Sequence, residues 1–180
     1  MKRTALLVVS VAALALPALA VSAPGAPAQT SLESGVLTQL NAIRRTHGLV
    51  PLAANARLAA AAAQHAQEMA TDGYFAHNSV DGTSFWRRIG RWYTRAHYSY
   101  WSVGENLLWS SPDVDAAGAL RLWMQSPEHR ANILAPRWRE IGIASVHVAA
   151  APGIYGSRPV TIVATDFGVR KREYPSGARP

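Results

Sequence analysis

The sequence contains no cysteine, although its N-terminus predicts a protein that is exported from the cell. Met1 to Arg3 form a short basic start, and Thr4 to Val21 form an almost uninterrupted apolar run, as in a secretory signal peptide. The lack of cysteine excludes disulfide bonds and also lipid attachment through a lipoprotein cysteine. The folded part must therefore be held by its hydrophobic core alone, and cysteine-free export is more typical of bacteria than of animals.

The first 30 residues divide into two predicted segments. The small-x-small sequence Ala18-Leu19-Ala20 predicts cleavage after Ala20, which makes residues 1–20 a signal peptide. Residues 21–30 form a linker rich in Pro and Ala. A retained membrane anchor is the alternative, because the apolar run approaches the roughly 20 residues that a spanning helix needs. We expect cleavage, so that the mature protein has no membrane span and is secreted or associated with the cell envelope.

One domain is predicted over residues 31–172, followed by a flexible tail over residues 173–180. This length is sufficient for a single hydrophobic core. A composition of 49% hydrophobic and 16% charged residues is that of an ordinary globular protein. Loss of Lys2 and Arg3 lowers the formal net charge from +7 to +5. Such a modest positive charge does not by itself indicate nucleic-acid binding.

Hydrophobic periodicity predicts a mixed α+β fold. Helical spacing of apolar residues extends from Ser31 to Thr46, from Ala56 to Ala70 and from Pro112 to about Met124. Two later segments, Ile141 to Val148 and Val160 to Val169, are rich in β-branched residues and are predicted strands. Helices on either side of a short antiparallel sheet are the simplest assembly of these elements.

Three short clusters contain polar residues that a purely structural role does not explain. They are Tyr74 to His77, Gly104 to Leu107 and Trp123 to Arg130, and their titratable side chains include His77, Glu105 and His129. Imidazoles and carboxylates can bind zinc or perform acid–base chemistry. Each cluster is weak evidence alone, because a lone histidine is more often a hydrogen-bonded structural residue.

In their order along the chain, these clusters resemble the bacterial branch of the CAP (SCP/TAPS) superfamily. The most specific motifs are Gly104-Glu105-Asn106-Leu107 and Ser126-Pro127-x-His129-Arg130-x-Asn132-Ile133-Leu134. The resemblance covers nearly the whole mature chain. Its other matches are Leu40-Asn41-x-x-Arg44, Gly48-Leu49 with Leu52 and Asn55, His65-Ala66, Met69-Ala70, Phe75-x-His77, Trp123-Met124, Ile141-Gly142-Ile143 and Asp166-Phe167-Gly168.

This resemblance implies a three-layer α-β-α sandwich with a small antiparallel sheet, the CAP/SCP fold. It also implies a central cleft with two histidines and up to two acidic residues, often able to hold a divalent metal. Transferred by motif, the expected metal ligands are His77, Glu105 and His129, with zinc or another divalent cation as cofactor.

Three further cleft residues follow from the same motifs. The position of the second family acid is Ser126 here, which leaves three ligands. Glu128 could substitute from a different direction. Asn106 is expected beside the cleft, where its amide ties backbone groups together.

The resemblance favours a secreted binding module that captures a small lipid, a cell-envelope component or a partner protein. The alternative is a metal-assisted hydrolase of extracellular substrates, with Glu105 or a metal-bound water as base. No serine or cysteine nucleophile motif is present, and we assign no catalytic residue.

The segment from Trp86 to Trp101 interleaves arginines with aromatic residues, which can stack on bases, sugars or lipid headgroups. We interpret it as a solvated basic face over a packed aromatic patch, and we do not expect nucleic acid as a partner.

Overall fold

A computed structural model of the protein describes residues 31–172. The predicted signal peptide, the predicted linker and the predicted tail lie outside these described residues. In chain order, the helices and strands are α1 Ser31–Thr46, β1 Ala53–Ala54, α2 Ala56–Asp72, α3 Phe85–Trp92, β2 Tyr100–Ser110, α4 Ala116–Gln125, α5 Pro127–Ile133, β3 Glu140–Ala151 and β4 Arg158–Lys171.

The four strands form one sheet in the order β1-β3-β4-β2. The long strands β3, β4 and β2 are antiparallel neighbours, whereas the two-residue strand β1 pairs with β3 in parallel. Strand β2 therefore lies at an edge of the sheet, where helices of both outer layers can reach it. Its register places Glu105 directly opposite Asp166 of β4.

Helices cover both faces of this sheet. On one face, α1 and α4 pack over Phe167 in a core that contains Leu40 and Trp123. On the other face, α2 packs over Ala144 and Ala164 of the sheet, and α3 packs against α2. The predicted three-layer α-β-α sandwich with a mainly antiparallel sheet is thus confirmed.

Helix α2 lies unusually close to the sheet. A Cβ atom on Gly142 of β3 would lie 2.0 Å from the backbone atoms Ala59 N and Leu58 C. Asn55 fixes the start of the helix, because its Oδ1 accepts hydrogen bonds from the backbone N–H groups of Arg57 and Leu58. The small side chains of this alanine-rich helix permit the close approach.

The first two helices and the two strand segments are confirmed by the structure. The third predicted helix begins four residues later than expected, at Ala116, because Asp115 caps it by accepting from the Gly118 N–H at 2.7 Å. Pro112 therefore lies in the preceding loop. Helices α3 and α5 and strand β2 were not predicted as regular structure, although β2 carries Glu105.

Candidate functional site

The candidate site lies at the edge strand β2, between the loop after α2 and the short helix α5. Glu105 projects from β2 toward the layer of α2 and α3, and its side chain is 1% exposed. His77 lies in the loop between α2 and α3, with its side chain 52% exposed. Its Nδ1 lies 2.7 Å from Glu105 Oε1, so the structure brings these two predicted residues together.

A buried arginine holds the other side of the Glu105 carboxylate. Arg88 of α3 donates from Nη2 to Glu105 Oε2, and both side chains are 1% exposed. The same guanidinium donates from Nη1 to the His77 carbonyl oxygen at 2.9 Å. Arg88 therefore holds both the backbone and, through Glu105, the imidazole of His77 in place.

Asp166 forms a second carboxyl group beside Glu105. It is completely buried, and within residues 31–172 neither of its oxygens has an N–H or O–H partner. Burial raises the pKa of Asp166 well above its ordinary value, and the negative charge of Glu105 raises it further, while Arg88 acts in the opposite direction. A protonated Asp166 can donate to Glu105, which leaves one negative charge for Arg88 to balance.

His129 reaches the site from α5, in the other outer layer. Burial lowers the pKa of the His129 imidazole, and the neighbouring His77 lowers it further. The backbone carbonyl of His129 accepts from Asn106 Nδ2 at 3.1 Å, and Asn106 Oδ1 accepts from Asn132 Nδ2 at 3.0 Å. Asn106 thus ties β2 to α5.

Ser126 and Glu128 lie near His129 but have different surroundings. Ser126 is the junction residue between α4 and α5, and its backbone N–H donates to the Trp123 carbonyl oxygen at 3.2 Å. Glu128 is exposed, and its charge acts to raise the pKa of His129 against the effect of burial. The contacts of His77 and Glu105 with each other and with Arg88 involve neither side chain.

A divalent cation does not fit this arrangement of donors. Among residues 31–172, no three His, Asp or Glu side chains are grouped so that they could hold a metal ion. Both oxygens of Glu105 already accept from His77 and Arg88, and a guanidinium in direct contact repels a cation. Metal binding by His77, Glu105 and His129 stays a prediction, and no step below depends on it.

Sequence reasoning quoted Asp166 and His65 only as motif matches, and it did not place Arg88, Asp166 or His65 at the site. The stripe Phe85, Arg88 and Ile89 has helical spacing, and it could have placed Arg88 on the inner face of α3. Asp166 is the only acidic residue in the β-branched stretch from Val160 to Val169, which is also a signal. His65 is fully buried in α2, and its Nε2 lies 2.8 Å from the Ala76 carbonyl oxygen, beside the loop that carries His77.

The profile of the Cysteine-rich secretory protein family (CAP) matches residues 37–156, a range that contains His77, Glu105 and His129. The chain belongs to this family, so the membership expected from its motifs is confirmed.

Several known proteins are similar to this chain. The uncharacterized protein YkwD of Bacillus subtilis is 32% identical over 125 residues, which cover 67% of this chain and 45% of that protein. An extracellular protein with an SCP domain from Bacillus anthracis str. Ames is 26% identical, with a TM-score of 0.56, and the match covers 78% of this chain and 41% of that structure.

A third similarity concerns the fold alone. An outer surface protein from Borrelia burgdorferi is 18% identical, with a TM-score of 0.60 over 76% of this chain and 90% of that structure. The chain spans 32% and 45% of the two curated Bacillus subtilis relatives that it matches, less than half of either.

The extracellular character of the Bacillus anthracis protein agrees with the export predicted for this chain. Within residues 31–172, no helix has the length and apolar character needed to cross a membrane.

Proposed function

We propose that this chain is an exported binding module that captures a small component of the cell envelope, such as a lipid, through the polar group that His77 and His129 recognise. The observation that carries this proposal is the engagement of both Glu105 oxygens, one by His77 and one by the buried Arg88. Glu105 therefore acts as a support that orients an imidazole rather than as a free acid or base.

The orientation of His77 suits ligand binding. Because an ionised carboxylate can only accept, the Nδ1 of His77 carries the proton and the Nε2 of its neutral form is an acceptor. The side chain is about half exposed, so this second nitrogen is available to a ligand. A side chain fixed before binding loses little conformational entropy when the ligand arrives.

His129 adds a second recognition group to the same cleft. Its lowered pKa favours the neutral imidazole at neutral pH, which can donate from one nitrogen and accept at the other. Two imidazole side chains at one site suit a hydroxyl, amide or acid headgroup. A partner protein that presents such a group is the other occupant consistent with this cleft.

A hydrolase is the second candidate, because an imidazole held by a carboxylate is also the arrangement that activates water. In this form His77, rather than Glu105 or a metal-bound water, would be the base. Glu105 is disfavoured in that role because both of its oxygens are already engaged, one by His77 and one by Arg88.

Recovery of bound ligand tests the proposal. The protein, a His77→Ala/His129→Ala variant and a His47→Ala control would be purified from a bacterial host, incubated with an organic extract of bacterial envelope lipids and examined by native mass spectrometry. His47 is an exposed histidine at the end of α1. We expect the same small molecule in the wild type and the control, and its loss from the cleft variant.

Circular dichroism would establish that all three proteins are folded. An equal ligand content in all three, or none in any of them, would contradict capture in this cleft. Consumption of an added ester or amide substrate by the wild type, lost in His77→Ala while ligand binding persists, would favour the hydrolase instead.

A further inference from the structure

A groove lies along the outer face of α3, and its lining does not include His77, Glu105 or His129. We call it the Arg–Trp groove, and it has a volume of about 380 Å³. Its lining residues are Trp86, Arg87, Gly90, Arg91, Arg95 and Trp101.

Helix α3 divides its side chains between two roles. Phe85, Arg88 and Ile89 face inward, where Phe85 lies 6.1 Å from the His77 ring and Arg88 holds Glu105. Trp86 and Arg91 face outward into the Arg–Trp groove. The groove is therefore separate from the cleft, although one helix contributes to both.

The three groove arginines are exposed, and among residues 31–172 they have no carboxylate partner. Within the part of the chain that the structure describes, Arg87, Arg91 and Arg95 form no ion pair. The pKa of Asp81 is lowered mainly by the Thr83 N–H, which donates to Asp81 Oδ1 at 2.8 Å, and to a lesser extent by the charge of Arg91, with which Asp81 forms no ion pair. Three guanidinium groups thus remain available to an external anion.

Aromatic side chains give the same surface an apolar component. Trp86 is 47% exposed, with the Arg87 guanidinium 5.0 Å from its ring centre. The space beside Gly90 is open, since a Cβ atom there would meet nothing closer than Trp101 Cζ2 at 3.8 Å.

We propose that the Arg–Trp groove docks the domain on the anionic phospholipid headgroups of a bilayer surface. A guanidinium group can donate two parallel hydrogen bonds to the oxygens of one phosphate. Exposed indoles favour the headgroup region, because the ring is apolar whereas its N–H group is polar. Arginine and tryptophan on the outer face of a helix are typical of segments that lie at a membrane interface. The export predicted from the N-terminus would bring the domain close to such a surface.

Sedimentation with vesicles tests this proposal. The protein, purified after secretion from a bacterial host, would be mixed with vesicles of phosphatidylcholine containing about 30% phosphatidylglycerol, or of phosphatidylcholine alone, at low and high salt. We expect binding only to the anionic vesicles, weakened by salt. A shift of tryptophan emission to shorter wavelength should accompany binding and diminish in Trp86→Ala.

Matched charge variants distinguish binding through the groove from nonspecific electrostatic attraction to the vesicle. Each basic residue near an anionic bilayer contributes about fivefold in affinity, so Arg87→Gln/Arg91→Gln/Arg95→Gln should lower the partition coefficient roughly 100-fold. The control Arg45→Gln/Arg57→Gln/Arg121→Gln removes the same charge from exposed positions outside the groove. It should retain binding within a few-fold of the wild type.

Several results would overturn the proposal. They are equal losses in the two triple variants, no binding to anionic vesicles, or equal binding to neutral ones. Salt-sensitive binding of oligo(dT) that requires the groove, without vesicle binding, would identify a nucleic-acid surface instead. Because His77 and His129 lie outside the groove, the His77→Ala/His129→Ala variant should bind vesicles normally whatever the outcome at the cleft.

Discussion

The guanidinium of Arg88 and the carboxylate of Glu105 form an ion pair in which both side chains are 1% exposed. Removal of one partner leaves a buried charge without compensation. We therefore expect Arg88→Gln to lower the free energy of unfolding by about 3–5 kcal/mol, as measured by urea denaturation.

Two further variants isolate this effect. Arg91→Gln, on the exposed face of the same helix, should change the free energy of unfolding by no more than about 0.5 kcal/mol. In a Glu105→Gln background, Arg88→Gln should cost much less than it does alone, because the buried carboxylate is gone. Equal costs in both backgrounds would show that Arg88 does not stabilise the site through Glu105.

The contact between His77 and Glu105 predicts a specific tautomer. In neutral His77 the proton should reside on Nδ1, opposite Glu105 Oε1 at 2.7 Å. Long-range ¹H–¹⁵N NMR at about pH 8.5 would distinguish the two ring nitrogens. Glu105→Ala should move His77 toward the Nε2–H tautomer that free histidine prefers. Glu105→Gln should do the same, because Arg88 can only donate and takes the amide oxygen, which leaves the amide N–H facing His77 Nδ1. An Nε2–H tautomer in the wild type would contradict the proposed orientation.

Local sequence signals specified much of the fold. The bounds of α1 agree with the predicted ones, because its apolar spacing and its flanking residues indicate the same helix. Strand β2 was missed for a physical reason. Its central residues Glu105 and Asn106 point to opposite faces, one toward Arg88 and the other toward Asn132. Glu105 thus interrupts the alternating apolar residues Trp101, Val103, Leu107 and Trp109 at the centre of one face, which weakens the strand signal.

The candidate site could be predicted only in part. Its motifs identified His77, Glu105 and His129, which come from elements far apart in the chain. The residues that contact these three side chains could not be predicted, because those contacts form only in the folded structure. Asp166 lies opposite Glu105 only through the register of β2 with β4, and Arg88 is buried only because α3 packs on α2. The expectation of a solvated basic face failed at Arg88, while Arg87 and Arg91 are exposed.

The raised pKa of Asp166 predicts a pH-dependent stability. Below the pKa of Asp166 in the unfolded chain, both states are protonated and burial carries no ionisation penalty. As the pH rises above that value, the unfolded state ionises first, and stability falls until the pH passes the higher pKa of the folded state. Each unit of difference between the two pKa values corresponds to about 1.4 kcal/mol.

Asp166→Asn should remove this dependence, because the amide is neutral and can still donate to Glu105. We expect the unfolding free energy of the variant, relative to wild type, to increase from about pH 4 to about pH 8 in urea denaturation. Asp113→Asn, at an exposed position, is the matched control and should show no such trend. A constant difference between Asp166→Asn and wild type would mean that Asp166 is ionised in the folded protein.

The close packing of α2 on the sheet predicts that Gly142 cannot accept even a methyl group. A Cβ atom there would lie 2.0 Å from Ala59 N and Leu58 C, which are helix backbone atoms that cannot rotate away. Gly142→Ala should therefore displace α2 and lower the free energy of unfolding by roughly 3 kcal/mol in urea denaturation. Gly90→Ala, in the open part of α3, is the control and should be neutral or stabilising by up to about 1 kcal/mol. Equal urea midpoints for Gly142→Ala and wild type would contradict this close contact between α2 and β3. They would also contradict the distance between the helix and sheet layers that places His77 beside Glu105.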